Sequence, residues 1–274
     1  MKCPNNYNCS SSNLTLITFD VVDTLIQFRT APGKKYGELG AMFGVLADNN
    51  KLVANFKTNW NHMNRAHPNF GLNTKIGYKE WWRRVVIGTF RESSLSDIHI
   101  PTDKLNKLCD HLLEEYKTSS CWGLCYGTID FLNYLKLQRQ IDGEPFKLGV
   151  VSNFDPRLDI LLRNMKISHY FDFVINSYDA GIEKPNIDIF KKAMKASEIE
   201  GLKPKECLHI GHSVLPDYFG AQKAGMYALL VHEKSPETLR AQYGPNIEDY
   251  HVFNSLFDLH KKLANGYIKW DRTP

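Results

Sequence analysis

Short apolar runs at 14–19, 148–151, 173–176, 207–210 and 228–231 constrain this chain more than any other feature. The last four alternate with amphipathic stretches at 128–137, 158–164, 188–196 and 217–224. A strand that is apolar along its whole length must be covered on both faces, and helices between such strands supply the cover. The pattern predicts an α/β fold built on a parallel sheet. In such sheets functional groups collect beyond the carboxyl ends of the strands. Asp20, Ser152, Gly211 and His212 all stand at predicted strand ends.

The segment 30–120 reads differently. Leu39, Met42, Phe43 and Leu46 recur at three- and four-residue steps, as do Leu105, Leu108, Leu112 and Tyr116, which is helical periodicity. Trp60, Trp81 and Trp82 lie between these stretches, in what reads as a further pair of helices, and tryptophans at helical spacing are mostly core. With 274 residues, one core with a sizeable insertion accounts for the length. The expected division is a flexible N-terminus at 1–13, a core at 14–29 and 121–274, and a helical inserted domain at 30–120.

Composition excludes several classes. Hydrophobic content of 43% and charged content of 23% are globular values, not those of a disordered or collagen-like chain. The apolar runs are too short to span a bilayer. A net charge of +4 without a Lys/Arg-dense block does not point to nucleic acid. The Asn/Ser-rich start lacks the apolar stretch of a secretory signal. Six cysteines without a disulfide rhythm read as reduced thiols in an intracellular protein, cytoplasmic with the nucleus as the alternative. Cys121 and Cys125 have no second pair at zinc-ligand spacing.

Four short segments carry candidate chemistry: Asp20-Val21-Val22-Asp23-Thr24, Ser152-Asn153-Phe154-Asp155, Glu183-Lys184-Pro185, and Gly211-His212 followed by Asp217. Their order on strands of one inferred sheet resembles the haloacid dehalogenase (HAD) superfamily. The insertion between the first two segments resembles the C1 type of cap. The finer pattern, together with Tyr78-Lys79-Glu80-Trp81-Trp82, is similar to the animal rhythmically expressed gene 2 type of HAD-like protein.

The resemblance implies a HAD-like Rossmannoid core with an inserted helical cap, and a phosphatase-type hydrolase acting on a small phosphorylated metabolite. Asp20 would be the nucleophile that forms an aspartyl-phosphate, splitting one difficult displacement into two. Thr24 would brace the first loop, and Ser152 and Asn153 would hold the substrate. Lys184 would neutralise charge between nucleophile and substrate, and Asp217 would be the later acid of the fourth motif. The implied metal is Mg²⁺, held by Asp20, the backbone carbonyl of Val22 and Asp217, with His212 as a further candidate ligand. The implied partner is a small phosphorylated molecule, with neither nucleic acid nor membrane.

Two positions depart from the family pattern. The general acid expected two residues after the nucleophile is Val22, and the carboxylate expected after Gly211 is His212. A positioned acid is typically worth about 10²–10⁴-fold, and a Lewis-acid metal several kcal/mol. The departures therefore imply a weak or inactive phosphatase. Charge counting agrees, since the usual four carboxylates, one Lys and one Mg²⁺ sum to −1. Asp20, Asp217 and Lys184 already sum to −1 without a metal. Imidazole is also a poor partner for Mg²⁺ and suits Zn²⁺ or Mn²⁺ better, so the expected cofactor is one of these or none.

Blander readings stand beside each residue. Asp20 could be a relic that bonds its own loop, Ser152 a turn cap, Lys184 a solvated loop cation and His212 a neutral loop histidine. Asp23 reads as a turn residue or as a displaced acid. His209, inside a strand, reads as structural. Two alternatives to the phosphatase remain open: a catalytically silent binding or regulatory protein, and metal-free chemistry of the dehalogenase kind.

Overall fold

The computed structural model describes residues 14–94, 100–141 and 146–265. The expected N-terminal tail, 1–13, lies outside the described residues. The strands, in chain order, are β1 (Leu16–Phe19), β2 (Ile26–Phe28), β3 (Trp122–Leu124), β4 (Lys147–Ser152), β5 (Phe173–Asn176), β6 (Cys207–Gly211), β7 (Tyr227–Val231) and β8 (Val252–Phe253). Six of them form one sheet in the order β5-β4-β1-β6-β7-β8, and its pairings are parallel. β2 and β3 pair separately. The α/β class and the parallel sheet are as the alternation of apolar runs implied.

The chain divides into two compact units. One comprises Met1–Gln27, Leu124–Asn153 and Ile167–Pro274; the other comprises Phe28–Gly123 and Phe154–Lys166. Helix Leu158–Asn164 was expected among the core helices but belongs to the second unit.

In the first unit β1 is central, and all four of its residues are buried. One face of the sheet packs Leu16, Val151 and Leu230 against Ile189, Phe190 and Tyr218 from the connecting segments. Fully burying a side chain of this size contributes about 1.5–3 kcal/mol. Because β1 lies between β4 and β6, with Phe19 opposite both Val150 and Ile210, the residues that follow these three strands emerge side by side.

The second unit contains α1 (Pro32–Met42), α2 (Asn49–Ala66), α3 (Tyr78–Ser93) and α4 (Thr102–Glu115). Asp48 caps α2 by accepting the N–H groups of Asn50 and Lys51. Leu105, Leu108 and Leu112 are buried on one face of α4, as their spacing requires. The same reading over 39–46 is corrected: α1 ends at Met42, Gly44 turns the chain at φ 64°, and Met42 and Leu46 are exposed. Trp81 is fully buried, with its indole N–H donated to the His67 carbonyl at 2.9 Å. Trp82 is half-buried and donates to Asp155 at 2.8 Å. Asp155 also takes a two-pronged contact from Arg157, at 2.9 Å and 2.6 Å, closing a buried ion pair within this unit.

Candidate active site

The site is built where β1, β4 and β6 end. After Asp20 the chain turns back sharply, because the N–H groups of Leu25 and Ile26 both converge on the Val21 carbonyl, at 2.9 Å and 3.0 Å. Asp23 stands in this turn at φ 59°, a conformation that Asp and Asn tolerate better than most residues, and its N–H reaches Ile26 O at 2.7 Å. This supports the turn reading of Asp23. Asp20 is anchored by its own N–H to Ile210 O at 2.9 Å.

Lys184 organises the carboxylates. Its ammonium donates to Asp20 Oδ1 at 2.8 Å and to Val151 O at 2.7 Å, and contacts Asp217 Oδ1 at 2.6 Å. Three N–H groups therefore meet three acceptors. Ser152 Oγ adds a second donor to Asp20 Oδ1 at 3.0 Å. The Lys184 side chain is 1% exposed, that of Asp217 2% and that of Asp20 12%. Such depth is tolerable only because each charge is paired and hydrogen-bonded.

Asp217 sits in a π-helical turn, Val214–Phe219. Its Oδ2 accepts the Ser213 N–H at 2.8 Å, and its Oδ1 also meets His209 Nε2 at 3.3 Å. The other nitrogen of His209 faces the Thr18 hydroxyl at 2.9 Å. An ionised Asp217 requires the proton on Nε2, so Thr18 donates to Nδ1. A Cβ on Gly211 would lie 2.4 Å from the Asp217 carboxyl carbon, so this approach requires glycine.

Burial pushes the Asp20 carboxyl above its ordinary range, which Lys184 opposes and Asp217 reinforces. Burial acts the same way on Asp217 but is outweighed by Lys184 and by the hydrogen bond from His209, so Asp217 is held below that range. Burial works against the Lys184 ammonium, yet Asp20 and Asp217 together hold its pKa above the ordinary lysine value. Burial lowers His209, which stays neutral.

Asp20, Ser152, Lys184 and Asp217 thus form one cluster. The other expected site residues are placed differently. Asn153, expected on the substrate, clamps the Lys184 backbone instead: its side chain donates to Lys184 O at 2.9 Å and accepts from Lys184 N at 2.8 Å. Ser152, also expected on substrate oxygens, donates to Asp20, and Lys184, expected there too, divides its donors among Asp20, Val151 O and Asp217. Thr24 is fully buried and its hydroxyl has no partner among the described residues, so it holds its loop through backbone alone. Val22 pairs with Ile26 in a one-residue bridge. His212 donates Nδ1–H to Val231 O at 3.0 Å and takes no part in the cluster around Lys184. The sequence reading missed Ser213 as the backbone donor to Asp217 and underrated His209, whose placement beside Asp217 depends on the π-helical turn.

Comparison with known proteins fits this architecture. The sequence profile of the haloacid dehalogenase-like hydrolases matches residues 14–225. The chain belongs to that family. It is 50% identical over 263 residues to the Rhythmically expressed gene 2 protein of Drosophila melanogaster, covering 95% of this chain and 99% of that one. It is 32% identical to the Haloacid dehalogenase-like hydrolase domain-containing protein 3 of Xenopus laevis, covering 94% and 98%. Among solved structures it resembles the HAD-hydrolase YfnB of Bacillus subtilis bound to magnesium, with TM-score 0.64, 20% identity, and 92% and 99% of the two chains covered. It also resembles the L-2-haloacid dehalogenase of Xanthobacter autotrophicus, with TM-score 0.60, 17% identity, and 92% and 98% covered. HAD hydrolases act on small molecules, and among the described residues no helix is long and apolar enough to cross a membrane.

The metal implied by this HAD family is Mg²⁺, a hard ion that demands near-octahedral oxygen ligands. Both oxygens of Asp217 accept protein donors, Asp20 Oδ1 accepts two, and the residue after Gly211 is an imidazole. Asp20 Oδ2 and the Val22 carbonyl are what the expected ligand set still offers. These residues do not fit Mg²⁺.

Proposed function

We propose that this protein is a slow phosphatase-type hydrolase of a small phosphorylated metabolite, working through a covalent intermediate on Asp20. The observation that carries the reading is the capture of Asp20 Oδ1 by Ser152 and Lys184, which leaves Oδ2 as the attacking oxygen. Oδ2 attacks phosphorus, the bond from phosphorus to the leaving oxygen breaks, and that oxygen leaves with the electron pair. Water then attacks the aspartyl-phosphate, releasing inorganic phosphate and regenerating Asp20. Lys184 supplies the positive charge in this step, since preorganised charge is the main contribution a protein makes to phosphoryl transfer. Asp217 keeps Lys184 charged, and His209 keeps Asp217 oriented.

Val22 donates no proton, so the leaving group must depart as an anion. Aryl and acyl phosphates satisfy this demand and simple alkyl phosphates do not. The same absence favours a second reading, displacement of halide from the carbon of a halo acid, because halide also leaves unprotonated. A protein that binds such anions without turnover is the remaining outcome. The free thiols at Cys109, Cys121, Cys125 and Cys207 suit a reducing, intracellular setting.

The test is release of phosphate from an aryl phosphate and of halide from 2-chloropropionate, in chelator, by wild type and by Asp20→Asn. Aryl phosphate turnover that disappears in the variant is the expected result. Halide release lost in the variant supports the second reading, and equal signals from both proteins would leave the silent one.

A further inference from the structure

The first unit holds a second cluster, on the His212 side of β6, that the proposed hydrolysis does not use. A cavity of about 400 Å³ is lined by Asp23, Cys125, His212, His232 and Glu233 among others. The β6–β7 pairing sets Gly211 opposite Leu230, which brings His212 beside the Val231–Glu233 segment. The imidazoles of His212 and His232 stack, with centroids 4.4 Å apart and planes within 11°. One nitrogen of each ring and one Glu233 carboxylate oxygen all lie within 4.8 Å of one another.

We infer that His212, His232 and Glu233 bind a divalent transition-metal ion of the Zn²⁺ class. Two features of the geometry support this. His212 Nδ1–H is held by the Val231 carbonyl at 3.0 Å, so the lone pair is on Nε2. A metal-binding histidine characteristically gives its other N–H to a backbone carbonyl in this way. His232 Nδ1 and Glu233 Oε2 are 3.3 Å apart, the separation of two donors about 2.0–2.1 Å from a tetrahedral ion. Binding requires the Lys234 N–H, 3.0 Å from His232 Nδ1, to be displaced and one ring to turn out of the stack, so that both in-plane lone pairs reach the ion. Glu233 is exposed, with its carboxylate already drawn to His232.

The donor set sets the selectivity. Two imidazoles and a carboxylate suit Zn²⁺, whereas Mg²⁺ prefers oxygen alone. Asp23, on the same cavity wall, adds negative charge that favours a cation. Three protein ligands leave a fourth position for water, the arrangement of an open zinc site. Asp20 is not among the ligands, so the site stands or falls separately from the hydrolase reading.

The experiment uses the full chain, stripped of metal and titrated calorimetrically with Zn²⁺ and, separately, Mg²⁺. Co²⁺ serves as a visible-absorbing probe of tetrahedral geometry. One equivalent of Zn²⁺ should bind at least about tenfold more tightly than Mg²⁺. His232→Gln and Glu233→Gln should each weaken Zn²⁺ about tenfold or more, and Cys125→Ser should leave it unchanged. Glu233→Gln alters an exposed side chain and keeps the test valid if the histidine variant fails to fold. Equal Zn²⁺ affinity in Glu233→Gln, equal affinity for the two metals, or loss of binding in Cys125→Ser would each overturn the assignment.

Discussion

Replacing Lys184 with Met keeps the length of the side chain and removes its charge, leaving Asp20 and Asp217 facing each other in a buried site. At separations of 2.6 and 2.8 Å and an effective dielectric near 20, each carboxylate attracts the ammonium by roughly 6 kcal/mol. Desolvation of the three groups offsets most of that attraction. The formal charge of the cluster goes from −1 to −2, and orphaning a buried partner typically costs about 3–5 kcal/mol. We expect that loss at pH 8.

The loss should depend on pH in a defined direction. Asp20 already sits above the ordinary carboxylate range because of burial, and Lys184 is the main influence holding it down. Without Lys184 it rises further. A carboxyl whose folded pKa exceeds its unfolded value binds a proton more readily when folded, so stability falls as pH rises through the folded pKa. The penalty of Lys184→Met should therefore shrink as pH falls from 8 toward the ordinary carboxylate range. Urea unfolding followed by far-UV circular dichroism measures it. Tryptophan fluorescence serves as the control, because four of the five tryptophans, Trp60, Trp81, Trp82 and Trp122, belong to the second unit. A loss below about 1 kcal/mol at pH 8, where exposed pairs fall, or the same loss at pH 5 and pH 8, would refute the shared-ammonium account.

Four other outcomes are expected. Val22→Asp and His212→Asp together should raise aryl phosphate kcat/KM with Mg²⁺ by about 10²-fold or more, well beyond the product of the singles, because acid and metal act as one unit. Gly211→Ala should destabilise the first unit by about 1–3 kcal/mol through overpacking, read by the same dichroism melt. Trp82→Phe leaves the buried Asp155 carboxylate without its indole donor and should cost the second unit about 1–3 kcal/mol, read by the remaining tryptophan fluorescence. Asn153→Ala frees the Lys184 backbone and should lower kcat on an aryl phosphate by up to about 10²-fold with a smaller change in KM.

What the sequence determined by itself was local. Wholly apolar strands at 148–151 and 228–231 required cover on both faces, and hydrophobic spacing located α4 and its buried leucines. The motif order, through resemblance, brought Asp20, Ser152, Lys184 and Asp217 to attention although they lie far apart in the chain. The short β8 and helices Pro236–Tyr243 and Leu256–Ala264 were not legible from apolar spacing. Only the tertiary structure decided what the polar groups do. Asn153 looked like a substrate ligand until its side chain was seen bonding the backbone of Lys184, 31 positions along the chain. His212 looked like a defect in a magnesium site, and became the neighbour of His232 and Glu233 only through the β6–β7 register. The physical reason is that periodicity reports which face of an element is dry. The partner of a buried charge is chosen by strand order and register, which hydrogen bonds between distant segments set once the sheet has formed.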